Sequence, residues 1–311
     1  MAKILITESV HPIGPELLTA AGHTVVYADR DMDVIRREIV DADAVFVRII
    51  ELPGSLLATA KNLKIVSKHG VGYDNIDLNY CKSHGIAVTI TPNANSLSVA
   101  EHAFTLMLTL AKNIIPVSNE YRTVGFAAKN HAPGIEMTGK TLGLIGMGRI
   151  GKHVLHMCKD GLDMHVIVYD PYISEVPEGV EKVDDLSELL HRADVVTLHC
   201  LLTDETRKLI DRERLALMKP TALLINCARG PIVDEAALIE ALENGRLAGA
   251  GLDVTDPEPV APDSPLFKLP NVIVTPHYAP TTVESATRVS KIAAENINAV
   301  LAGQEPVGRI V

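Results

Sequence analysis

Residues 141–170 read TLGLIGMGRIGKHVLHMCKDGLDMHVIVYD. The apolar run Leu142-Gly143-Leu144-Ile145 has the pattern of a buried strand, and it ends in Gly146-x-Gly148-x-x-Gly151. A helical pattern follows, then a second apolar run at 165–169 closed by Asp170. Strand, glycine turn, helix and strand make a βαβ unit carrying the dinucleotide fingerprint. Gly146 permits the tight turn, Gly148 lets backbone approach a pyrophosphate, and Gly151 lets the helix pack on the sheet. The helix N-terminus offers unpaired N–H groups and a partial positive charge to the phosphates. Asp170, nineteen residues past Gly151, is placed to accept both ribose hydroxyls of the adenosine half. A carboxylate there repels a 2′-phosphate, so NAD is expected over NADP. A glycine triplet alone is a weak signal; the two strands and the terminal acid make it specific.

Downstream of this unit, strand patterns recur at 194–198, 222–226, 247–252 and 271–274, with helical patterns between them. Six such strands match a complete dinucleotide domain. A helical pattern at 283–301 is closed by Gly303 as a left-handed cap. Upstream, strand-like runs at 4–7, 24–27, 44–47, 64–67 and 87–90 alternate with helical stretches such as 12–21 and 34–40. Alternation of this kind predicts a parallel sheet covered by helices on both faces. Ser98-x-x-Glu101 reads as a capping box, and the following run to Leu110 is apolar nearly all round. That helix is expected to be buried and to cross from the first lobe to the second. His102 on it reads as a satisfied core histidine. Residues 114–138, with Pro116, Gly125, Pro133 and Gly134, read as irregular and suit an arm used in subunit contact. The expected fold is α/β, with two doubly wound parallel-sheet lobes and the last helix returning to the first lobe.

Composition narrows the function. At 311 residues the chain is long enough for two domains with large cores. A net charge of −10 with no basic cluster argues against nucleic acid and against an anionic membrane surface. No apolar run is long enough to span a bilayer. The start, MAKILITESV, reads as a strand with one lysine rather than a signal peptide. Cys81, Cys158, Cys200 and Cys227 are scattered, without metal-ligand or CxxC spacing. Reduced thiols in a cytoplasm are the simplest account, and no metal is expected.

Candidate chemistry sits at the strand ends. In the second lobe Arg229 ends the fourth strand in INCARGPIVDE, Glu258 lies in DVTDPEP after the fifth, and His277 lies in VIVTPHYAP after the sixth. Reduction of a 2-oxo acid needs a cation that fixes the carboxylate and polarises the carbonyl; arginine does both. It needs a proton for the developing alkoxide, and histidine is the usual donor. It also needs an acid that holds the imidazole in one tautomer and favours its protonated form. In the first lobe Arg48 ends the third run, and Gly70-Val71-Gly72 follows the fourth. The glycines suit either an anion-binding nest of successive N–H groups or a plain turn.

These motifs together resemble the D-isomer-specific 2-hydroxyacid dehydrogenase family. The resemblance covers almost the whole chain and is carried by HGVGYDNID, NSLSVAEHA, LGLIGMGRIG with Asp170, LHCLLTDETRKLI, NCARGPIVDEAAL, GLDVTDPEP and LPNVIVTPH. It implies a Rossmann-type NAD domain, residues 98–281, inserted into a flavodoxin-like substrate domain, residues 1–97 and 282–311. It implies a catalytic set of Arg229, Glu258 and His277, and a substrate carboxylate received by Arg229 and the backbone of Val71 and Gly72. For NAD it points to Gly146, Gly148, Arg149, Ile150, Gly151, Asp170, His199, Cys200, Cys227, Ala228 and Asp253, the last near the nicotinamide carboxamide. It also implies a homodimer.

Within the family, TPNANSLSVAE and Arg48 look most similar to phosphoglycerate dehydrogenases, with Arg48 a substrate ligand. Glyoxylate and hydroxypyruvate reductases are close behind. Arg48 and Lys68 read equally well as phosphate ligands and as surface charges. A non-catalytic NAD sensor of the corepressor kind is the alternative of another class. The chain departs from the family pattern at Leu201, where proline is usual, at Pro231, where glycine is common, and at Tyr278 and Pro280 beside His277. None of these removes a catalytic group; Tyr278 and Pro280 are placed to reshape the pocket mouth.

Overall fold

The computed structural model describes all 311 residues. Residue contacts divide the chain into two units, Met1–Asn95 with Pro280–Val311, and Ser96–Ala279. In the first unit, β1 (Lys3–Ile6), β2 (Thr24–Tyr27), β3 (Ala44–Val47), β4 (Ile65–Lys68) and β5 (Ala87–Thr89) form a wholly parallel sheet in the order β2-β1-β3-β4-β5. This is the flavodoxin-like order, and its winding reverses between β1 and β3, where loops diverge and leave a crevice. Every residue of β3 and β4 is buried, as a parallel sheet covered on both faces requires. The helix Val283–Leu301, last in sequence, belongs to this unit. Its Ala293, Ala294 and Ile297 pack with Ile4, Ile6, Phe46 and Ile65, and its Ala293 carbonyl accepts from Ser67 Oγ at 2.9 Å.

The second unit holds β6 (Thr141–Ile145), β7 (His165–Tyr169), β8 (Val180–Lys182), β9 (Val195–Leu198), β10 (Leu223–Asn226), β11 (Gly249–Leu252) and β12 (Val272–Val274). They form a parallel sheet in the order β12-β11-β10-β9-β6-β7-β8, a doubly wound Rossmann sheet. It has seven strands where the sequence pattern shows six. The extra one, β8, is a three-residue Val-Glu-Lys edge strand, half-exposed and paired only to β7. Too short and polar to show a period, it still supplies the third strand of the Rossmann order.

Two other segments differ from the sequence reading. The crossover helix runs Ser96–Ala111, so Ser98 and Glu101 lie inside it and form no box at its boundary. Residues 114–138 contain a helix, Ile114–Val124, and a 3-10 stretch, Gly125–Asn130. Pro116 sits in the first turn of that helix, where its missing N–H breaks no helical bond. The helix buries none of its residues, and Ile114, Ile115, Tyr121 and Val124 are exposed, as is Phe126 beyond it. No helix is long and apolar enough to cross a membrane.

Candidate active site

The glycine turn after β6 is built by close approach. Gly146 has φ +89°, and a Cβ there would lie 2.8 Å from the backbone of His199 and Cys200, so the end of β9 closes against the turn. A Cβ on Gly151 would meet the Gly146 carbonyl oxygen at 2.2 Å, which leaves the helix Arg149–Leu162 room only for glycine there. Gly148 faces open space. The N–H groups of Gly148, Arg149 and Ile150 find no partner within the protein. An open turn backed by unpaired N–H groups at the start of a 14-residue helix fits a dinucleotide pyrophosphate.

The other cofactor candidates surround this turn. Asp170 accepts from Met147 N at 2.9 Å and from Tyr172 N at 3.0 Å, which fixes its carboxylate at the end of β7. His199 shares a 2.9 Å hydrogen bond between its Nε2 and Thr197 Oγ1, while its Nδ1 is buried without a partner. Burial drives His199 down to about 3, so the ring is neutral and not a proton source. Burial pushes the Cys200 thiol up to about 11, and Cys227 is also raised well above its usual value. Both are un-ionised at neutral pH. Ala228 N donates to Asn226 Oδ1 at 3.0 Å, and Asn226 Nδ2 donates to the Arg229 carbonyl at 2.9 Å. Asn226, which the sequence reading passed over, therefore braces the whole Cys227–Arg229 segment.

Arg229, Glu258 and His277 follow β10, β11 and β12, three adjacent parallel strands, so all three lie at one edge of the sheet. His277 Nδ1 lies 2.8 Å from Glu258 Oε1, and both side chains are partly exposed. The Arg229 loop is seated against the Glu258 loop by its neighbour Gly230. A Cβ on Gly230 would sit 1.9 Å from the Thr255 carbonyl oxygen, a contact only glycine avoids. Arg229 Nη1 donates to the Ala228 carbonyl at 2.7 Å. His277 itself has φ +51°, in the left-handed region. Asp253, 1% exposed, accepts from Thr275 Oγ1 at 2.6 Å and from the N–H groups of Tyr278 and Ala279 at 2.7 and 2.9 Å. No cluster of His, Cys, Asp and Glu side chains is arranged to hold a metal ion.

In the first unit, Arg48 follows β3 and Gly70-Val71-Gly72 follows β4, its neighbour. The N–H groups of Gly70, Val71 and Gly72 make no hydrogen bond within the protein. Lys68 is buried rather than a surface charge: its ammonium donates to the Arg48 carbonyl and, at 2.6 Å, to Asn75 Oδ1. Asn75 Nδ2 donates in turn to the Ile50 carbonyl at 2.7 Å. Glu8, also missed from sequence, lies at the end of β1 and is 2% exposed. Its Oε2 accepts from the N–H groups of Arg48, Ile49 and Ile50 at 2.8, 2.7 and 3.3 Å. Glu8, Lys68 and Asn75 thus hold the loop that carries Arg48. Burial and the nearby Arg48 guanidinium lower His69 to about 3, so it too is neutral.

Comparison with known proteins places this geometry. A family model described as D-isomer specific 2-hydroxyacid dehydrogenase, NAD binding domain, matches residues 104–279. A D-3-phosphoglycerate dehydrogenase of Methanocaldococcus jannaschii is 43% identical over 308 residues, covering 98% of this chain and 58% of that protein. The chain spans little more than half the length of such relatives. A glyoxylate reductase of Thermofilum pendens is 38% identical over 319 residues, covering 98% of this chain and 93% of that one. A solved D-lactate dehydrogenase of Aquifex aeolicus, complexed with NAD and lactic acid, is 33% identical, with TM-score 0.87 and 96% of each chain covered.

Proposed function

The chain belongs to the D-isomer-specific 2-hydroxyacid dehydrogenase family, and from that premise we propose that it moves a hydride reversibly between NADH and a small 2-oxo acid. The observation that carries this reading is the 2.8 Å contact between His277 Nδ1 and Glu258 Oε1 at the strand edge that also bears Arg229. With Nδ1 held by Glu258, the Nε2 of His277 is left to serve the substrate. In reduction, Arg229 fixes the oxo acid and polarises its carbonyl. His277 delivers the proton to the developing alkoxide, and Glu258 supports the imidazolium. Oxidation runs the same proton back to His277. The 146–151 turn and Asp170 would hold NAD, which would supply the hydride donor or acceptor when bound. The unpaired N–H groups of Val71 and Gly72 receive a carboxylate, and Arg48 adds a cation in the same unit. In this reading Ser96–Ala279 is the cofactor unit, and the remainder is the substrate unit.

Two substrate classes compete. Arg48 and the phosphoglycerate dehydrogenase relatives support a phosphorylated three-carbon acid. The Lys68 ammonium is already engaged by the Arg48 carbonyl and Asn75, so of the two phosphate candidates Arg48 alone is retained, and one cation rather than two supports a smaller acid of the glyoxylate or hydroxypyruvate kind. NADH oxidation against phosphohydroxypyruvate, hydroxypyruvate, glyoxylate, pyruvate and phenylpyruvate separates them. Turnover confined to phosphohydroxypyruvate supports the first, and turnover of the small oxo acids the second. Silence across the panel with NADH still bound favours either an oxo acid outside the panel or a sensor.

We also propose a homodimer in the cytoplasm. The uncovered Ile114, Ile115, Tyr121 and Phe126 support an assembly surface, and four unpaired cysteines suit a reducing compartment. Light scattering of the protein and of a Tyr121→Asp/Phe126→Asp variant tests the assembly.

A further inference from the structure

His102 does not sit idle in the core. It lies on the helix Ser96–Ala111, with Nε2 3.0 Å from Thr275 Oγ1 and 3.5 Å from Asp253 Oδ1. Thr275 has a single hydroxyl hydrogen, and Asp253 Oδ1, 2.6 Å away, can only accept it when ionised. Toward His102 the hydroxyl oxygen therefore accepts, so Nε2 of His102 carries a hydrogen and donates. Asp253 then binds the chain on both sides of His277. Its carboxylate takes Thr275 Oγ1 before that residue and the N–H groups of Tyr278 and Ala279 after it, and its carbonyl takes His277 N at 2.8 Å. The ring of His102 also stands edge-on to Tyr278, with centroids 6.2 Å apart.

The turn so held is uncommon for any residue but glycine, although histidine is among the side chains that enter it more often. A side chain at φ +51° persists only where its surroundings over-determine it. An apolar residue in place of His102 would fill similar space but leave Thr275 and Asp253 short of a donor. We propose that His102 is a positioning residue: acting through Thr275 and Asp253, it fixes the left-handed turn that presents His277. This rests on the reading of His277 as the proton donor.

The test compares His102→Leu, His102→Gln, Thr275→Val, the His102→Leu/Thr275→Val double variant and His277→Asn. Kinetics on the best oxo acid are paired with NADH affinity, melting temperature and amide exchange. His102→Leu is expected to lower kcat by about tenfold, as slight misplacement of a reacting group does, with little change in NADH affinity. His102→Gln, whose amide nitrogen reaches the place of Nε2, should recover most of that loss. Exchange at the Tyr278 and Ala279 amides should quicken by about tenfold in His102→Leu, but not in His102→Gln or at the β6 amides. The double variant should be little worse than either single one, because both remove one relay. Wild-type kcat and protection in His102→Leu, or losses that multiply in the double variant, would overturn the proposal. Full activity in His277→Asn would sink the catalytic reading instead, and the amide exchange would still decide what His102 does.

Discussion

Glu258 Oε1 and His277 Nδ1 lie 2.8 Å apart although they are nineteen positions apart in the chain, because each lies in the loop that follows one of two neighbouring parallel strands. The contact takes one ring nitrogen and directs the other outward. Replacing His277 with Asn removes the proposed proton donor and keeps a polar side chain of smaller size. We expect kcat to fall by roughly 10²–10⁴ with NADH affinity retained. Stopped-flow NADH oxidation and fluorescence titration measure the two quantities, and an active variant would refute the assignment.

Gly230→Ala tests the seating of the arginine loop. Its Cβ would arrive 1.9 Å from the Thr255 carbonyl oxygen, and backbone cannot swing aside as a side chain can. One of the two loops must shift, at a cost of about 1–3 kcal/mol. Both the melting temperature and kcat/KM should drop. A Gly148→Ala variant, whose Cβ meets nothing within 4 Å, should keep its melting temperature. Equal melting of the Gly230→Ala variant and the parent would contradict the close approach.

Cofactor choice should turn on Asp170. Its carboxylate is fixed by the N–H groups of Met147 and Tyr172 at the end of β7. Asp170→Ser removes the charge and keeps an acceptor. The NADH-to-NADPH preference in kcat/KM should shrink by at least about tenfold, or ~1.4 kcal/mol. An unchanged ratio would mean that something other than this charge excludes the 2′-phosphate.

Acid should weaken the fold through two partly buried histidines. His69 and His199 are lowered to about 3 when folded, against 6.5 unfolded. Between those values the unfolded chain binds the extra protons, so stability declines as pH falls from about 6.5 toward 3. Above that window the two residues contribute no pH dependence. Urea melts across the window should show a shallower decline for His199→Gln than for the parent; parallel declines would contradict the burial argument.

The thiols should be sluggish. Burial pushes Cys81 and Cys200 up to about 11 and Cys158 up to about 12, and raises Cys227 as well. At pH 8 iodoacetamide should modify the folded protein far more slowly than the protein in denaturant, where all four cysteines react. Rapid modification of the native protein, mapped by mass spectrometry, would expose the residue that escapes this account.

Much of the fold could be read because parallel strands buried on both faces leave unbroken apolar runs, and β6, β9 and β10 are such runs. Arg229, Glu258 and His277 stood out as candidates because they are ionisable groups in the loops after three successive strand patterns, β10, β11 and β12. What escaped lacks any local period. The strand β8 has three residues, two of them charged. Glu8 meets N–H groups 40 to 42 residues away, and His102 meets a hydroxyl 173 residues away. No spacing rule reaches so far, so an acid at a strand end and a histidine on a helix each pass as ordinary until the chain is folded.

The return of the helix Val283–Leu301 to the first sheet sets an order on synthesis. Ala293, Ala294 and Ile297 close the apolar face formed by Ile4, Ile6, Phe46 and Ile65, and Ile310 lends its N–H to the Val88 carbonyl. On a ribosome, the five strands of this unit must wait for residues 280–311, while the 184-residue stretch between them has all of its own strands. Of the two units, the one that starts earlier in the chain is therefore completed later, and until residues 280–311 emerge the face of its sheet that Ala293, Ala294 and Ile297 cover stays open.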